Sequence, residues 1–135
     1  MDTTNRKKLW VIMLGDALVL ALVTVFGFAT HGELGSAVTR MLTTYVPMAL
    51  AWAMVAPFLG VYDLQRCADP RQLWRPFYAM VLAGPLAAWM RAVLLGNAPI
   101  LPVFVVVLGG VSALAILAWR ALFWATALRG ERRHG

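Results

Sequence analysis

Asp16 is the residue whose placement asks most for an explanation. It sits seven residues inside an apolar run that begins at Leu9. At 1.5 Å of helical rise per residue it lies roughly 10 Å below the start of that run. An Asp at mid-span is disfavoured by about 2.5–3.5 kcal/mol on insertion scales. It must therefore face protein or a water-filled cavity, where a functional role is the default hypothesis. The competing reading is a structural ion pair or a neutral, hydrogen-bonded acid. Arg120, at the end of the last apolar run, is a candidate partner, because a long Arg side chain reaches several ångströms along its helix. Its other reading is a boundary anchor.

Arg91 is the second intramembrane candidate. It precedes Gly96 by five residues, which puts it roughly 7 Å below the opposite surface. By the same rise about 12 Å separates Asp16 from Arg91 along the membrane normal, too far for a direct pair without tilt or kinking. His31 and Glu33, at the outer end of the first run, are better placed to meet Arg91. The three define an outer polar cluster that would bind an anion or relay a proton. The plainer reading is that Arg91 snorkels to headgroups.

Other chemistry is weakly represented. There is no nucleophile elbow, phosphate-cradling glycine loop or zinc-protease helix. Two histidines, one of them in the basic tail, make no metal site, and no cofactor is expected. The single cysteine, Cys67, excludes an internal disulfide and reads as a reduced loop thiol. The chain is not expected to be an enzyme.

The elements that must position these residues follow from composition. Hydrophobic residues make up 61% of the 135 and charged residues only 13%, against about half and about a quarter in soluble domains. The mean hydropathy is +0.74. A soluble fold would expose too much apolar surface, and disorder needs a more polar chain. Four apolar runs, about 9–30, 41–61, 76–95 and 100–122, are each long enough to cross a bilayer as a helix. Open strands and a barrel are excluded. The expected fold is an all-α membrane protein, a four-transmembrane-helix bundle forming a single integral membrane domain. A signal peptide also begins with residues such as Arg6, Lys7 and Lys8, but this first run exceeds the usual apolar core and carries an acid.

The net charge of +6 would suggest nucleic acid in a soluble protein. Here ten of the twelve Lys and Arg residues lie at one side of the runs: the N-terminus, the loop with Arg66, Arg71 and Arg75, and the C-terminal end. The positive-inside rule then places both termini and the middle loop in the cytoplasm and makes the bilayer, not nucleic acid, the partner. Trp10, Tyr62, Trp74, Tyr78, Trp119 and Trp124 are expected near the inner boundary, Tyr45 and Trp89 near the outer one.

Asp69-Pro70 reads as an N-cap with proline at the first helical position. Gly96-Asn97-Ala98-Pro99 predicts a tight antiparallel hairpin between spans three and four. Pro47 and Pro57 in span two and Pro85 in span three mark irregular backbone, either around a site or as static packing geometry. Small residues four apart, Ala79, Ala83 and Ala87 with Gly84 beside them, and Gly109 in span four, form ridges for close helix approach. They would serve packing within the bundle, self-association or contact with another membrane subunit.

The combination has a familiar look. Asp16 in an apolar first span, then Gly27 and His31-Gly32, then Gly84-Pro85, Trp89 and Arg91, then Pro102-Val103-Phe104 and Trp119-Arg120, resembles the uncharacterised prokaryotic membrane protein family catalogued as domain of unknown function 3054. Phe28 stands where the family often carries an arginine. The resemblance implies a four-span protein of the prokaryotic inner (cytoplasmic) membrane and no activity. Two functional readings remain: an oligomeric transport or channel-type protein using Asp16, and an accessory or assembly subunit of a larger membrane complex without chemistry of its own.

Overall fold

The computed structural model describes residues 2–30 and 38–129. Helix α1 spans Thr3–Thr30 and α2 spans Val38–Val55. A 3-10 segment, Ala56–Leu59, extends α2. Then come the short α3 (Leu64–Cys67), a 3-10 turn (Pro70–Gln72), α4 (Trp74–Leu94) and α5 (Pro102–Phe123), which continues as a wider π turn over Trp124–Leu128. Four of these helical stretches are long and apolar enough to cross a membrane: Thr3–Ala29, Val38–Leu59, Pro70–Leu94 and Pro102–Ala127. An all-helical bundle with this apolar exterior is consistent with a multi-pass membrane protein.

Each helix is apolar around most of its circumference, so burial is decided by side-chain size and polarity rather than by an apolar stripe. In α1 the buried positions are Ile12, Asp16, Leu20 and Thr24, one line at a spacing of four. Leu14, Leu18, Leu22 and Phe26 form an exposed line at the same spacing. In α4 the buried set includes Ala79, Ala83, Gly84, Ala87 and Ala88. Small side chains there let α2 and α5 close onto α4. The approach of α5 is close at Gly84, where a Cβ would stand 2.9 Å from the Gly109 Cα. The small-residue ridges on α4 and at Gly109 are thus occupied inside the bundle.

The prolines act differently from one another. Helices α2 and α4 run on through Pro47 and Pro85. Pro57 is where the backbone changes, because the α-helix stops at Val55 and tightens to 3-10. Gly60 then ends the segment in the left-handed region at φ 66°, its N–H returning to the Ala56 and Pro57 carbonyls. That conformation suits glycine, which has no Cβ to clash with the following carbonyl. The chain is thereby turned back across the bundle end, toward α5.

Two turns behave as the sequence suggests. The Asp69 carboxylate accepts the Arg71 N–H ahead of the 3-10 turn that Pro70 opens. At the far end, Gly96 and Asn97 both take positive φ, 74° and 63°, and reverse the chain between α4 and α5.

Candidate functional site

The most polar point inside the bundle is the pair Asp16–Arg120. Asp16 comes from the buried line of α1 and Arg120 from the last turn of α5. Asp16 is 0% exposed and Arg120 5%. The guanidinium approaches in a fork: Nε donates to Oδ1 at 2.9 Å and Nη2 to Oδ2 at 2.6 Å. A bidentate Arg–carboxylate pair is among the stronger charge-assisted contacts available to a protein. Of the two readings of Arg120, partner of Asp16 or boundary anchor, the structure shows the pair.

Three further groups close the pair. The Tyr62 hydroxyl donates to Asp16 Oδ2 at 3.0 Å and accepts from Trp52 Nε1 at 2.7 Å. Arg120 Nη1 donates to the Val61 carbonyl at 3.1 Å and lies 3.5 Å from Cys67 Sγ. The Cys67 thiol also donates to the Val61 carbonyl, at 3.2 Å. Asp16 therefore accepts three hydrogen bonds, and Arg120 uses all three of its nitrogens. The turn at Gly60 makes this possible, because it presents Val61 and Tyr62 to the pair. Burial pushes the Tyr62 phenol well above its usual range, with the Asp16 charge adding to the rise, so Tyr62 remains a donor. Burial also pushes the Cys67 thiol up, against the opposing pull of Arg120.

Sequence reasoning missed Trp52, Val61, Tyr62 and Cys67 as members of this network. Tyr62 reads from sequence as a boundary aromatic, yet its hydroxyl is turned inward. Tyr45, expected at the outer boundary, likewise donates to the Ala17 carbonyl within the bundle at 3.1 Å. The available signal was Asp16 itself: a buried carboxylate has room for more donors than one Arg supplies, and Tyr62 carries a hydroxyl in the loop after α2.

Arg91 stands apart from this network. Its Nε donates to Thr44 Oγ1 at 3.1 Å, and its guanidinium lies 5.2 Å from the centre of the Phe104 ring. His31 and Glu33, proposed from sequence to join it, lie outside the described residues. The hydroxyls inside the helices are also engaged. Thr24 donates to the Leu20 carbonyl, Thr43 and Thr44 to that of Arg40, and Ser112 points to Met48 Sδ. Among the described residues no cluster of three or more His, Cys, Asp or Glu side chains is placed to hold a metal.

Four helices long and apolar enough to cross a membrane, joined by the buried Asp16–Arg120 pair, make an all-helical bundle consistent with a multi-pass membrane protein. The chain belongs to the family described as a protein of unknown function, DUF3054, whose family model matches residues 13–123 and so takes in both Asp16 and Arg120. No curated protein and no solved structure matches it.

Proposed function

We propose that this chain is an accessory or assembly subunit of a larger membrane complex, with no catalytic or transport chemistry of its own. The observation that carries the reading is the complete internal engagement of Asp16 and Arg120. A transport residue must exchange partners with its cargo. Opening this pair would strand a charge in a low-dielectric interior, a loss of about 3–5 kcal/mol when one partner is taken away. The Thr and Ser hydroxyls that would line a polar route have protein partners as well. The pair is best read as the fastener that fixes α1 against α5 and the loop after α2. The remaining surface is apolar and suited to lipid and to neighbouring membrane subunits.

On this reading both termini and the loop around Arg66, Arg71 and Arg75 face the cytoplasm, and the membrane is the inner membrane of a prokaryote. The test is the native mass of the tagged chain, extracted from its own membrane in a mild detergent. Co-migration with larger membrane subunits in fixed stoichiometry is the expected result. Recovery of a homo-oligomer whose ion or solute flux in liposomes is abolished by Asp16→Asn would overturn the reading and restore the transport alternative.

A further inference from the structure

A small cavity opens at the bundle end beside the ion pair, under the loop that joins α2 to α4. Its volume is about 20 Å³, room for one water molecule or one phosphate oxygen. Gly60, Arg66, Cys67, Gln72, Arg75 and Arg120 line it. Three guanidinium groups thus converge on one partly open recess from three different elements. They differ in what is left to them. Arg120 is neutralised by Asp16. Arg66 is held over Gly60 by an exposed contact with Asp63, Nε to Oδ2 at 3.3 Å, which water and salt weaken. Arg75 has neutral acceptors: Nε donates to Gln72 Oε1 at 2.6 Å and Nη1 to the Leu59 carbonyl at 2.8 Å. Its Nη2 has two donors to offer.

The setting adds to the charge. The Arg75 guanidinium stacks over Trp74, 4.6 Å from the ring centre, which fixes its plane. Trp74 packs edge-on to Tyr78, and both are exposed at the start of α4. Exposed Trp and Tyr rings at a helix end sit at headgroup depth. Asp69, the one carboxylate in the lining, accepts the Arg71 N–H of its own turn and keeps its charge, so the lining sets three arginines against one acid. The recess therefore offers a surplus of arginine side chains and, in Arg75, a guanidinium with donors left over, beside rings of the kind found at headgroup depth. A guanidinium fork matches phosphate oxygens geometrically, and basic pockets between helices at the membrane surface suit anionic headgroups.

We propose that this recess binds the phosphate of an anionic phospholipid, one oxygen entering the cavity toward Arg75 Nη2 with Arg66 closing over it. This goes beyond the assembly role, which needs no bound lipid. The test is native mass spectrometry of the delipidated full chain in a non-ionic detergent, titrated with phosphatidylglycerol or with phosphatidylcholine. Expected are one tight phosphatidylglycerol adduct and at least a fivefold preference over phosphatidylcholine. Arg75→Gln should lower its occupancy about tenfold, the scale of one lost charge-assisted contact of about 1.4 kcal/mol. Arg71→Gln removes an equal charge from the same loop outside the cavity and should change occupancy less than twofold. Because Arg75 also caps the end of α2, Arg66→Gln is the second variant, expected to weaken binding severalfold without loss of folded protein. Equal losses in Arg71→Gln and Arg75→Gln, or none in Arg75→Gln and Arg66→Gln, would overturn the site. Displacement of the lipid by millimolar inorganic phosphate would reassign it to a free anion and overturn the lipid proposal.

Discussion

Helix α1 and helix α4 are held in the same bundle by opposite means. Helix α4 buries an extended set of mainly small residues and meets α2 and α5 at close range, with Gly84 against Gly109. Helix α1 buries one thin line of four side chains, and one of the four is a carboxylate. In lipid there is no hydrophobic gain from helix association, so attachment comes from packing and polar contacts. Helix α4 relies on many weak dispersion contacts, which degrade gradually. Helix α1 relies on few polar contacts, the Asp16–Arg120 pair foremost and the Tyr45 hydrogen bond to the Ala17 carbonyl beside it, so loss of the pair removes most of its specificity at once.

The largest effect should follow from breaking that contact. Arg120→Ala leaves Asp16 buried without its counter-charge and should destabilise the fold by about 3–5 kcal/mol. Asp16→Asn should cost a comparable amount, since it leaves Arg120 as the buried charge without a counter-ion, although the amide oxygen can still accept from Tyr62 and Arg120 retains the Val61 carbonyl. The double variant Asp16→Leu/Arg120→Leu should recover part of the loss, because a buried pair replaced by apolar side chains is often near neutral. Thermal unfolding in detergent, run as a cycle across the variants, measures the coupling. Additive losses would mean that the pair is not the fastener of α1.

The α4 side of the comparison predicts a smaller, asymmetric effect. A Cβ on Gly84 would meet the Gly109 backbone at 2.9 Å, whereas one on Gly109 would stand 3.6 Å from the Gly84 Cα, an ordinary contact. Gly84→Ala should therefore cost about 1–3 kcal/mol by overpacking. Gly109→Ala should stay within about 0.5 kcal/mol, aided by the better helix propensity of Ala. Equal losses at the two sites, in the same unfolding assay, would show that α4 and α5 do not pack as closely as Gly84 implies.

This asymmetry between the two helices was partly legible in the sequence. Four apolar runs of bilayer length left one fold class, and an acid inside the first run raised the question of a counter-ion, for which Arg120 at the far end of the fourth run was one candidate and a boundary anchor its other reading. The small-residue spacing in span three marked a contact ridge, although not which partner would fill it. The rest was hidden for physical reasons. Trp52 lies among apolar residues, where an indole reads as ordinary core and its N–H has no signature. The Val61 carbonyl is backbone, and its exposure to Arg120 depends on the left-handed turn at Gly60. Tyr62 and Tyr45 looked like boundary aromatics because amphipathic rings usually are, while here each hydroxyl finds an acceptor inside. Pro57 reads as one of several helix prolines, yet it alone coincides with the end of its α-helix.

A small effect on stability is also expected at Cys67, where the loop meets the ion pair. Its thiol donates to the same carbonyl that Arg120 uses, so it reports on the closed end of the bundle without holding it together. A serine can make the same bond, and Cys67→Ser should shift stability by less than about 1 kcal/mol. Reactivity is the more telling readout. Burial raises the thiol above its usual 9.0, so the thiolate is scarce at neutral pH and iodoacetamide should label the folded chain more slowly than free cysteine. The sign for stability follows. The folded state holds this proton more tightly than the unfolded state, so the contribution is full below the ordinary thiol range and is lost as pH rises from there through the raised folded-state value. Tyr62, raised by burial and by Asp16, should add a loss of the same sign at higher pH. Arg120→Ala, by opening the end of the bundle, should bring Cys67 labelling close to the rate of the free thiol. Removing Arg120 also removes its downward pull on the thiol, so the rates are compared at a pH high enough to ionise free cysteine; labelling that stays slow there would show that the loop after α2 is held by packing alone, and that the ion pair fastens α1 to α5 without it.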